Sequence, residues 1–302
     1  GTCLVPGSSC GRSDWCGPLA SPPACVPGEK TVAIKLILTD IDGTIMPYGK
    51  RQVTQRCRAA FHAAMDAGIL VGPASGRFFS WIPSFFGGDK ACCQTALATN
   101  GMQVYLEGRK VLQMELPPAA LRTIMGALQD VPRSGLLVFE GARPLLVQGS
   151  RDDLAIAFPS YAKTCEDADA LPEAGITKAN VFLVGDLERT REVVGALDAL
   201  TDEVDLDVPQ PMFSNVVPAG WNKGAALRWL CERVGVAPEE TVVFGDAGND
   251  LQMFAATPNS VAVANALPEA RDAARYHIGP VEDDAVPAAI ETLARGEWPF
   301  AD

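Results

Sequence analysis

The sequence predicts an α/β protein with a Rossmann-like, doubly wound parallel-sheet core that is interrupted by an inserted α+β domain. Apolar strand-like runs alternate with helical segments near the start of the chain and again after residue 213, which is the rhythm of a parallel sheet. The segment between them mixes helices and strands without this alternation. We therefore place the core in residues 31–115 and 214–302, and the insert in residues 116–213.

The first part of the core begins with a nearly continuous apolar run at 32–38, typical of a strand buried on both faces. A helix is predicted over 52–67, where Gly68 closes it, and a second strand over 69–74. A third strand at 96–99 precedes a hairpin around Glu107 and Gly108.

The insert is predicted to begin with a helix, because Leu121, Ile124 and Leu128 recur at helical spacing. Strand-like runs follow at 136–139, 145–148 and 181–184, and another helix includes Val193 and Leu197. The core then resumes with a helix at 223–234, a strand at 241–244, a helix after residue 250, and short strands at 261–264 and 276–279.

The 302 residues carry a formal net charge of -12, and the insert alone has sixteen Asp and Glu against eight Lys and Arg. This charge argues against nucleic acid as a partner, because phosphate backbones are bound through clustered Lys and Arg. No apolar run is long enough to span a membrane, so we expect no membrane partner and a cytoplasmic location. The sequence leaves the oligomeric state open.

The first 30 residues hold Cys3, Cys10, Cys16 and Cys25 in a stretch rich in Gly, Pro and Ser. Their irregular spacing and the presence of only two histidines in the chain argue against a zinc site. We expect a disordered or non-native leader here. The other five cysteines lie in apolar or helical surroundings and are expected to be reduced core thiols.

Four polar clusters fall where predicted strands end or helices begin. They are Asp40 with Asp42 and Thr44; Ser75; Lys223; and Asp246 with Asn249 and Asp250. In doubly wound sheets, ligands bind at the carboxyl ends of the strands. Carboxylates gathered there supply hard oxygen ligands, which suit Mg²⁺.

This combination predicts phosphoryl transfer. A carboxylate that attacks a phosphate dianion meets repulsion between like charges, and a bridging cation lowers that repulsion. Asp40 would be the nucleophile, and Asp42 would protonate the leaving oxygen and then deprotonate water. Ser75 would donate a hydrogen bond to the phosphoryl group, and Lys223 would orient Asp40.

The chain resembles the haloacid dehalogenase superfamily, specifically its Cof-like branch of type IIB capped hydrolases. The motifs in order are Asp40-Ile41-Asp42-Gly43-Thr44, Ser75-Gly76-Arg77, Lys223-Gly224 and Gly245-Asp246 through Asn249-Asp250, with Asn100-Gly101 and residues 262–266 as further signatures. The resemblance extends from Val32 to about Leu293. At Asn215, Ala264 and Ala285 the chain has residues that differ from those common in this branch. These positions lie outside the four motifs, so the differences concern the identity of the substrate.

The resemblance implies that Asp40 is the nucleophile and Asp42 the acid and base. It also implies that Asp40, the Asp42 carbonyl and Asp246 hold Mg²⁺, with Asp250 and Asn249 supporting the metal. We expect Gly43, Thr44, Arg77, Asn100 and Asn249 to bind substrate.

Three functions remain open at this point. The first is hydrolysis of small phosphomonoesters, such as sugar phosphates or similar metabolites, through an aspartyl-phosphate. The second is a sugar phosphomutase, since the same core can pass phosphate between two positions of one sugar. The third is a phosphate-binding regulatory module without turnover, against which the second carboxylate of Asp42 argues.

Overall fold

The computed structural model describes residues 32–301; the predicted leader lies outside them. The strands are β1 (Leu36–Thr39), β2 (Leu70–Pro73), β3 (Ala96–Ala98), β4 (Gln103–Leu106), β5 (Arg109–Gln113), β6 (Ser134–Glu140), β7 (Arg143–Gln148), β8 (Glu166–Asp167), β9 (Ile176–Leu183), β10 (Val204–Gln210), β11 (Phe213–Pro218), β12 (Thr241–Gly245), β13 (Asn259–Ala262) and β14 (Tyr276–His277). The helices are α1 (Gln55–Asp66), α2 (Ile82–Phe85), α3 (Pro118–Leu128), α4 (Arg151–Ala157), α5 (Pro159–Thr164), α6 (Leu187–Asp198), α7 (Lys223–Val234), α8 (Leu251–Phe254), α9 (Pro268–Ala273) and α10 (Ala285–Ala294).

The core is a parallel sheet of five strands in the order β14-β13-β12-β1-β2. Leu36, Ile37 and Leu38 of β1 are fully buried, as expected for a central strand that is covered on both faces. The α1 helix packs against α10, and α7 packs against α8. The predicted doubly wound α/β core is confirmed.

Helix ends in the core follow local side-chain chemistry. Thr54 caps α1 by accepting a hydrogen bond from the Cys57 amide, and Asn222 does the same for α7 through the Ala225 amide. Gly235 ends α7 in the left-handed conformation (φ 68°), which glycine adopts without steric cost. The residue after Asn222, Lys223, is thereby fixed in the first turn of α7.

A small antiparallel sheet of order β3-β4-β5 follows the first part of the core. The turn between β4 and β5 contains Glu107 and Gly108, both with positive φ, the backbone of a two-residue hairpin loop that matches strand twist. The hairpin predicted at these residues is confirmed.

A second, six-stranded sheet has the order β10-β11-β9-β6-β7-β8. One face packs on α3 and α6 through an apolar cluster that includes Leu121, Ile124 and Leu197. The opposite face carries Leu137 and Phe139 and packs on α4 and α5. This sheet is therefore covered by helices on both faces and has an apolar core of its own on each.

The sequence patterns do not predict the last two strands of this sheet. The β11 strand pairs with β9 and β10, so the second sheet continues to Pro218, five residues beyond the predicted end of the insert at 213. The β10 sequence alternates acidic and apolar residues and contains Pro209, which weakens the local strand signal. Its position depends on pairing with β11, which a local pattern does not reveal.

Aromatic side chains join the second sheet to the core. The Phe78 ring, which follows β2, lies 5.0 Å from the Phe139 ring on β6, and the Trp81 ring lies 6.4 Å from that of Tyr161 on α5. These ring contacts pack the second sheet and its helices against the core.

The cysteines of the described region behave as the sequence predicts. All are buried free thiols: Cys57, Cys92, Cys93, Cys165 and Cys231. Within residues 32–301, no helix has both the length and the apolar character needed to cross a membrane.

Candidate active site

The four polar clusters meet at the carboxyl edge of the five-stranded sheet. Asp40 directly follows β1, and Asp246 directly follows β12, its neighbour in the sheet. Lys223, fully buried at the start of α7, donates hydrogen bonds of 2.7 Å to Asp40 Oδ1 and of 2.7 Å to Asp250 Oδ1. One ammonium group therefore links the first and last motifs.

Asp250 organises the loop after β12. Its Oδ2 accepts hydrogen bonds from the backbone amides of Asp246 (2.9 Å) and Ala247 (3.1 Å), while its Oδ1 accepts from Lys223. The side chain is completely buried. These contacts engage both carboxylate oxygens of Asp250. Asp250 is therefore placed to position the loop after β12 and the side chain of Lys223.

Asp246 is held from the other side by the loop after β1. Thr44 Oγ1 donates to Asp246 Oδ1 at 3.0 Å, and the Tyr48 hydroxyl donates to Asp246 Oδ2 at 3.0 Å. Thr44, predicted to bind substrate, is fully buried and supports Asp246 instead. The sequence does not predict Tyr48 as a site residue, because a single tyrosine in a loop is not part of a recognisable motif.

Gly43 makes this contact possible. Its φ is 83°, and a Cβ atom at this position would lie 2.4 Å from Asp246 Oδ2 and 2.7 Å from the Tyr48 ring. Its carbonyl accepts a 2.7 Å hydrogen bond from Asn265 Nδ2. Gly43 is thus needed for the close approach of two loops, a role that differs from the predicted substrate contact.

The charges of this buried group do not balance. Three carboxylates, Asp40, Asp246 and Asp250, face the single ammonium of Lys223. Burial raises the pKa of Asp40 well above its usual range, against the opposing effect of Lys223. Burial and the charge of Asp250 raise the pKa of Asp246 to about 7.

Lys223 itself stays charged in this surrounding. Burial alone would lower its pKa, but the charges of Asp250 and Asp40 raise the pKa above the ordinary lysine value. When all three carboxylates are ionised, this group of described residues therefore carries two negative charges without a positive partner, which accords with the raised pKa values of Asp40 and Asp246.

This imbalance fits a divalent cation. Ligand oxygens of Asp40, Asp246 and Asp250 lie within 4.8 Å of one another, and carboxylate oxygens are ligands that Mg²⁺ prefers. The Asp42 carboxylate is not in this group, because it is paired with Arg77. The donor set fits Mg²⁺, with Asp40 and Asp246 facing the cavity.

Arg77 holds Asp42 by both oxygens. Its Nε and Nη2 atoms each lie 3.0 Å from an Asp42 oxygen, and both side chains line the active-site cavity. Such a two-point contact fixes the direction of the carboxylate. Arg77, predicted to bind substrate, contacts Asp42 in this structure.

Asn100 and Asn249 line the cavity, and Ser75 is buried next to the cavity residues Gly76 and Arg77. Ser75 is 1% exposed, and its Oγ accepts a 3.2 Å hydrogen bond from the Arg77 amide. Asn249 Nδ2 donates to Asn100 Oδ1 at 3.2 Å, and both asparagines line the cavity. Asn100 has a φ of 56°, a conformation that asparagine tolerates better than most residues.

The cavity above Asp40 has a volume of about 200 Å³ and is shared between the core and the second sheet. The second sheet and its helices contribute side chains that the sequence did not single out as ligands: Phe158, Tyr161, Lys178, Gln210, Phe213 and Asn215. Lys178 is the one charged residue of β9, a strand whose residues are all buried, and this is the available signal for one of them. Recognising the others requires the register of β10 and β11 and the position of α5 against the cavity.

A second group of possible ligands, His62, Asp89 and Cys92, lies away from this cavity. Asp89 already accepts hydrogen bonds from His62 (2.6 Å) and the Ala91 amide (3.1 Å). Burial raises the pKa of the Cys92 thiol to about 12, which disfavours the thiolate that metals bind. These contacts favour a structural role for the three residues.

Comparison with known proteins places this geometry in a family. Residues 37–290 match the family model of haloacid dehalogenase-like hydrolases. The chain is 26% identical over 275 residues to the 5-amino-6-(5-phospho-D-ribitylamino)uracil phosphatase YbjI of Escherichia coli, covering 89% of this chain and 99% of that protein. It is 29% identical over 239 residues to the mannosylfructose-phosphate phosphatase of Agrobacterium fabrum, covering 78% and 85%.

Solved structures share the fold. The subclass IIB sugar phosphatase BT4131 superposes with a TM-score of 0.71 at 19% identity, covering 85% of this chain and 98% of that one. The family match includes all the residues of the candidate site described above. The chain therefore belongs to the haloacid dehalogenase-like hydrolases.

Proposed function

We propose that this protein is a Mg²⁺-dependent phosphatase that hydrolyses small phosphomonoesters through an aspartyl-phosphate on Asp40. The observation that carries the proposal is the buried group in which Lys223 joins Asp40 to Asp250 beside Asp246. When its three carboxylates are ionised, two negative charges are unbalanced, and this supports a divalent cation held by Asp40, Asp246 and the Asp42 carbonyl. When bound, the ion would lower the repulsion between Asp40 and the phosphate dianion.

The chain's own groups would then act in two displacements. The Asp40 carboxylate attacks phosphorus, the bond to the leaving oxygen breaks, and that oxygen takes a proton from Asp42. Water then attacks the phosphorus of the aspartyl-phosphate, Asp42 takes the proton of the water, and inorganic phosphate leaves Asp40. An Asp42 oxygen that exchanges a proton must part from Arg77, so we propose that substrate binding loosens this pair.

The size of the site and the names of the relatives support a proposal for the substrate class. A cavity of about 200 Å³ between the core and the second sheet suits a small metabolite. The curated relatives include a phosphatase named for a sugar phosphate. We therefore propose sugar phosphates or similar small phosphomonoesters as substrates, with residues of the insert acting as a cap over the leaving group.

The test is phosphate release from a panel of sugar phosphates and 4-nitrophenyl phosphate, with and without Mg²⁺. We expect release that requires Mg²⁺ and is lost in Asp40→Asn. Asp66→Asn, which changes an exposed carboxylate at the end of α1, is the matched control and should keep full activity. Release at the normal rate by Asp40→Asn would refute the mechanism, and sugar isomerisation without phosphate release would indicate a mutase.

A further inference from the structure

Lys178 is a buried cation in the wall of the active-site cavity. It lies in β9, is 6% exposed and lines the cavity. Its Nζ donates hydrogen bonds to the Gly76 carbonyl (3.0 Å) and to the Tyr161 hydroxyl (2.9 Å). An ammonium group has three donors, so one N–H remains for a ligand.

The surroundings of Lys178 are aromatic. Its Nζ lies 5.4 Å, 5.3 Å and 5.4 Å from the ring centroids of Phe78, Phe139 and Tyr161. Aromatic faces attract a cation, but they replace only part of its lost hydration. Because no carboxylate within residues 32–301 forms an ion pair with Lys178, the position favours an anion.

The other cations of the site are already matched. Arg77, the second cationic residue among those that line the cavity, is paired with Asp42 at two points. Lys223 is paired with Asp40 and Asp250. Among the described residues of this site, Lys178 is therefore the cation whose charge is available to a ligand.

An anionic group bound by Lys178 would lie on the side of the cavity formed by the insert. Tyr161 accepts a hydrogen bond from Lys178, which leaves its own hydroxyl proton free to donate. Asn215 and Gln210 line the same cavity with amide groups. An anionic group here would meet one charged donor and one neutral donor.

We propose that Lys178, together with Tyr161, selects substrates whose leaving group carries a second anionic group, either a carboxylate or another phosphate. This inference rests on the proposed function, since it takes the transferred phosphoryl group to lie at Asp40. Lys178 is then a specificity-determining residue and not a member of the group that breaks the phosphate ester.

The test is a calorimetric titration of Asp40→Asn protein with Mg²⁺, which measures binding without turnover. The six-carbon ligands are sorbitol 6-phosphate, 6-phosphogluconate and sorbitol 1,6-bisphosphate, which differ only at C1. The three-carbon pair is glycerol 1-phosphate and 3-phosphoglycerate. Two chain lengths sample different depths of the cavity, and the two anionic six-carbon ligands separate carboxylate from phosphate recognition.

We expect an anionic ligand to bind roughly tenfold or more tightly than its neutral partner at one or both lengths, because hydrogen bonds between charged groups are the strong ones. Adding Lys178→Met should reduce this ratio to about one and change neutral binding less than about threefold. Lys178→Arg should retain the preference. Lys163→Met, which changes an exposed lysine on the neighbouring α5 helix, should leave the ratio unchanged.

Two results would overturn the inference: no preference for the anionic ligands at either length, or an equal loss of neutral and anionic binding in Lys178→Met. The second would place Lys178 on the transferred phosphoryl group or in the packing of the insert. Thermal unfolding of each variant identifies misfolding, and Lys178→Arg and Tyr161→Phe then serve as the informative variants. Phosphate release by protein with Asp40 intact is measured separately, so failure of the proposed function remains distinguishable.

Discussion

Lys223 illustrates how a single residue links stability and chemistry. Its ammonium group is fully buried between Asp40 and Asp250 at 2.7 Å from each. Removing one member of such a group leaves buried charges without a partner, which costs more than the group contributes when complete.

Lys223→Met should therefore lower the free energy of unfolding by about 3 to 5 kcal/mol and abolish phosphate release. Urea unfolding measures the first effect. Lys35→Met is the control, because Lys35 pairs with Glu240 at the surface with 54% of its side chain exposed, and surface pairs contribute about 0 to 1 kcal/mol. Similar losses in the two variants would contradict the assignment.

Asp42→Asn should distinguish substrates by their leaving groups. Sugar phosphates lose a basic alkoxide that needs a proton, so their kcat/KM should fall by about 10² to 10⁴. The 4-nitrophenolate ion leaves without protonation. Because kcat/KM reflects only the steps up to the first irreversible one, the kcat/KM for 4-nitrophenyl phosphate should fall much less. An equal fall for both substrates would argue against Asp42 as the general acid.

At the scale of elements, the loop after β1 must approach the loop after β12 closely. Gly43→Ala should place a Cβ atom 2.4 Å from Asp246 Oδ2 and displace that carboxylate. We expect a fall of about 100-fold in kcat/KM, as for small misplacements of reacting groups.

Gly49→Ala is the control for this loop. Gly49 also has a φ of 83°, but a Cβ atom there would meet nothing within 4 Å. It should destabilise the fold by about 1 to 2 kcal/mol through backbone strain and keep its activity. If Gly43→Ala and Gly49→Ala lost activity to a similar extent, backbone strain and not the contact with Asp246 would explain the loss in Gly43→Ala.

The β10 strand should make stability depend on pH. Burial raises the pKa of Asp207 to about 6, against the hydrogen bond from Asn215. The unfolded chain therefore loses this proton at lower pH than the folded chain, so the contribution of Asp207 to stability falls as pH rises from about 4 to 6.

Asp207→Asn removes this titration and can keep the acceptor for Asn215. The variant should gain about 1 kcal/mol of stability relative to the natural chain between pH 5.0 and pH 7.5, because only about one unit of the pKa shift lies above pH 5.0. Urea unfolding at both values measures the difference. A constant difference would show that Asp207 does not titrate in this range.

Sequence patterns predict the elements whose signals are local. The α7 helix is predicted with its observed ends, and Asn222 and Gly235 supply its two caps. The β10 and β11 strands are not predicted, because their positions depend on pairing across the sheet. Helix caps act within a few residues, whereas strand register depends on distant partners.

At the scale of the whole molecule, the residues at the carboxyl edge of the five-stranded sheet are easier to predict from the sequence than those that the insert adds to the cavity. Parallel strands place their carboxyl ends on one edge, so Asp40 and Asp246 are expected to meet although they are far apart in sequence. Lys178 and Tyr161 reach the same cavity from the insert, whose topology the motifs do not encode. The residues proposed to select the substrate are therefore the least visible in the sequence.

Asp40 becomes covalently phosphorylated during turnover if it is the nucleophile. The most direct measurement is rapid quenching of Mg²⁺-loaded protein with a good substrate, borohydride reduction of any acyl phosphate, and mass spectrometry of the peptides. We predict homoserine at position 40, formed only with substrate and Mg²⁺. Reduction at another carboxylate, or an unmodified Asp40 under conditions where the intermediate accumulates, would contradict the mechanism.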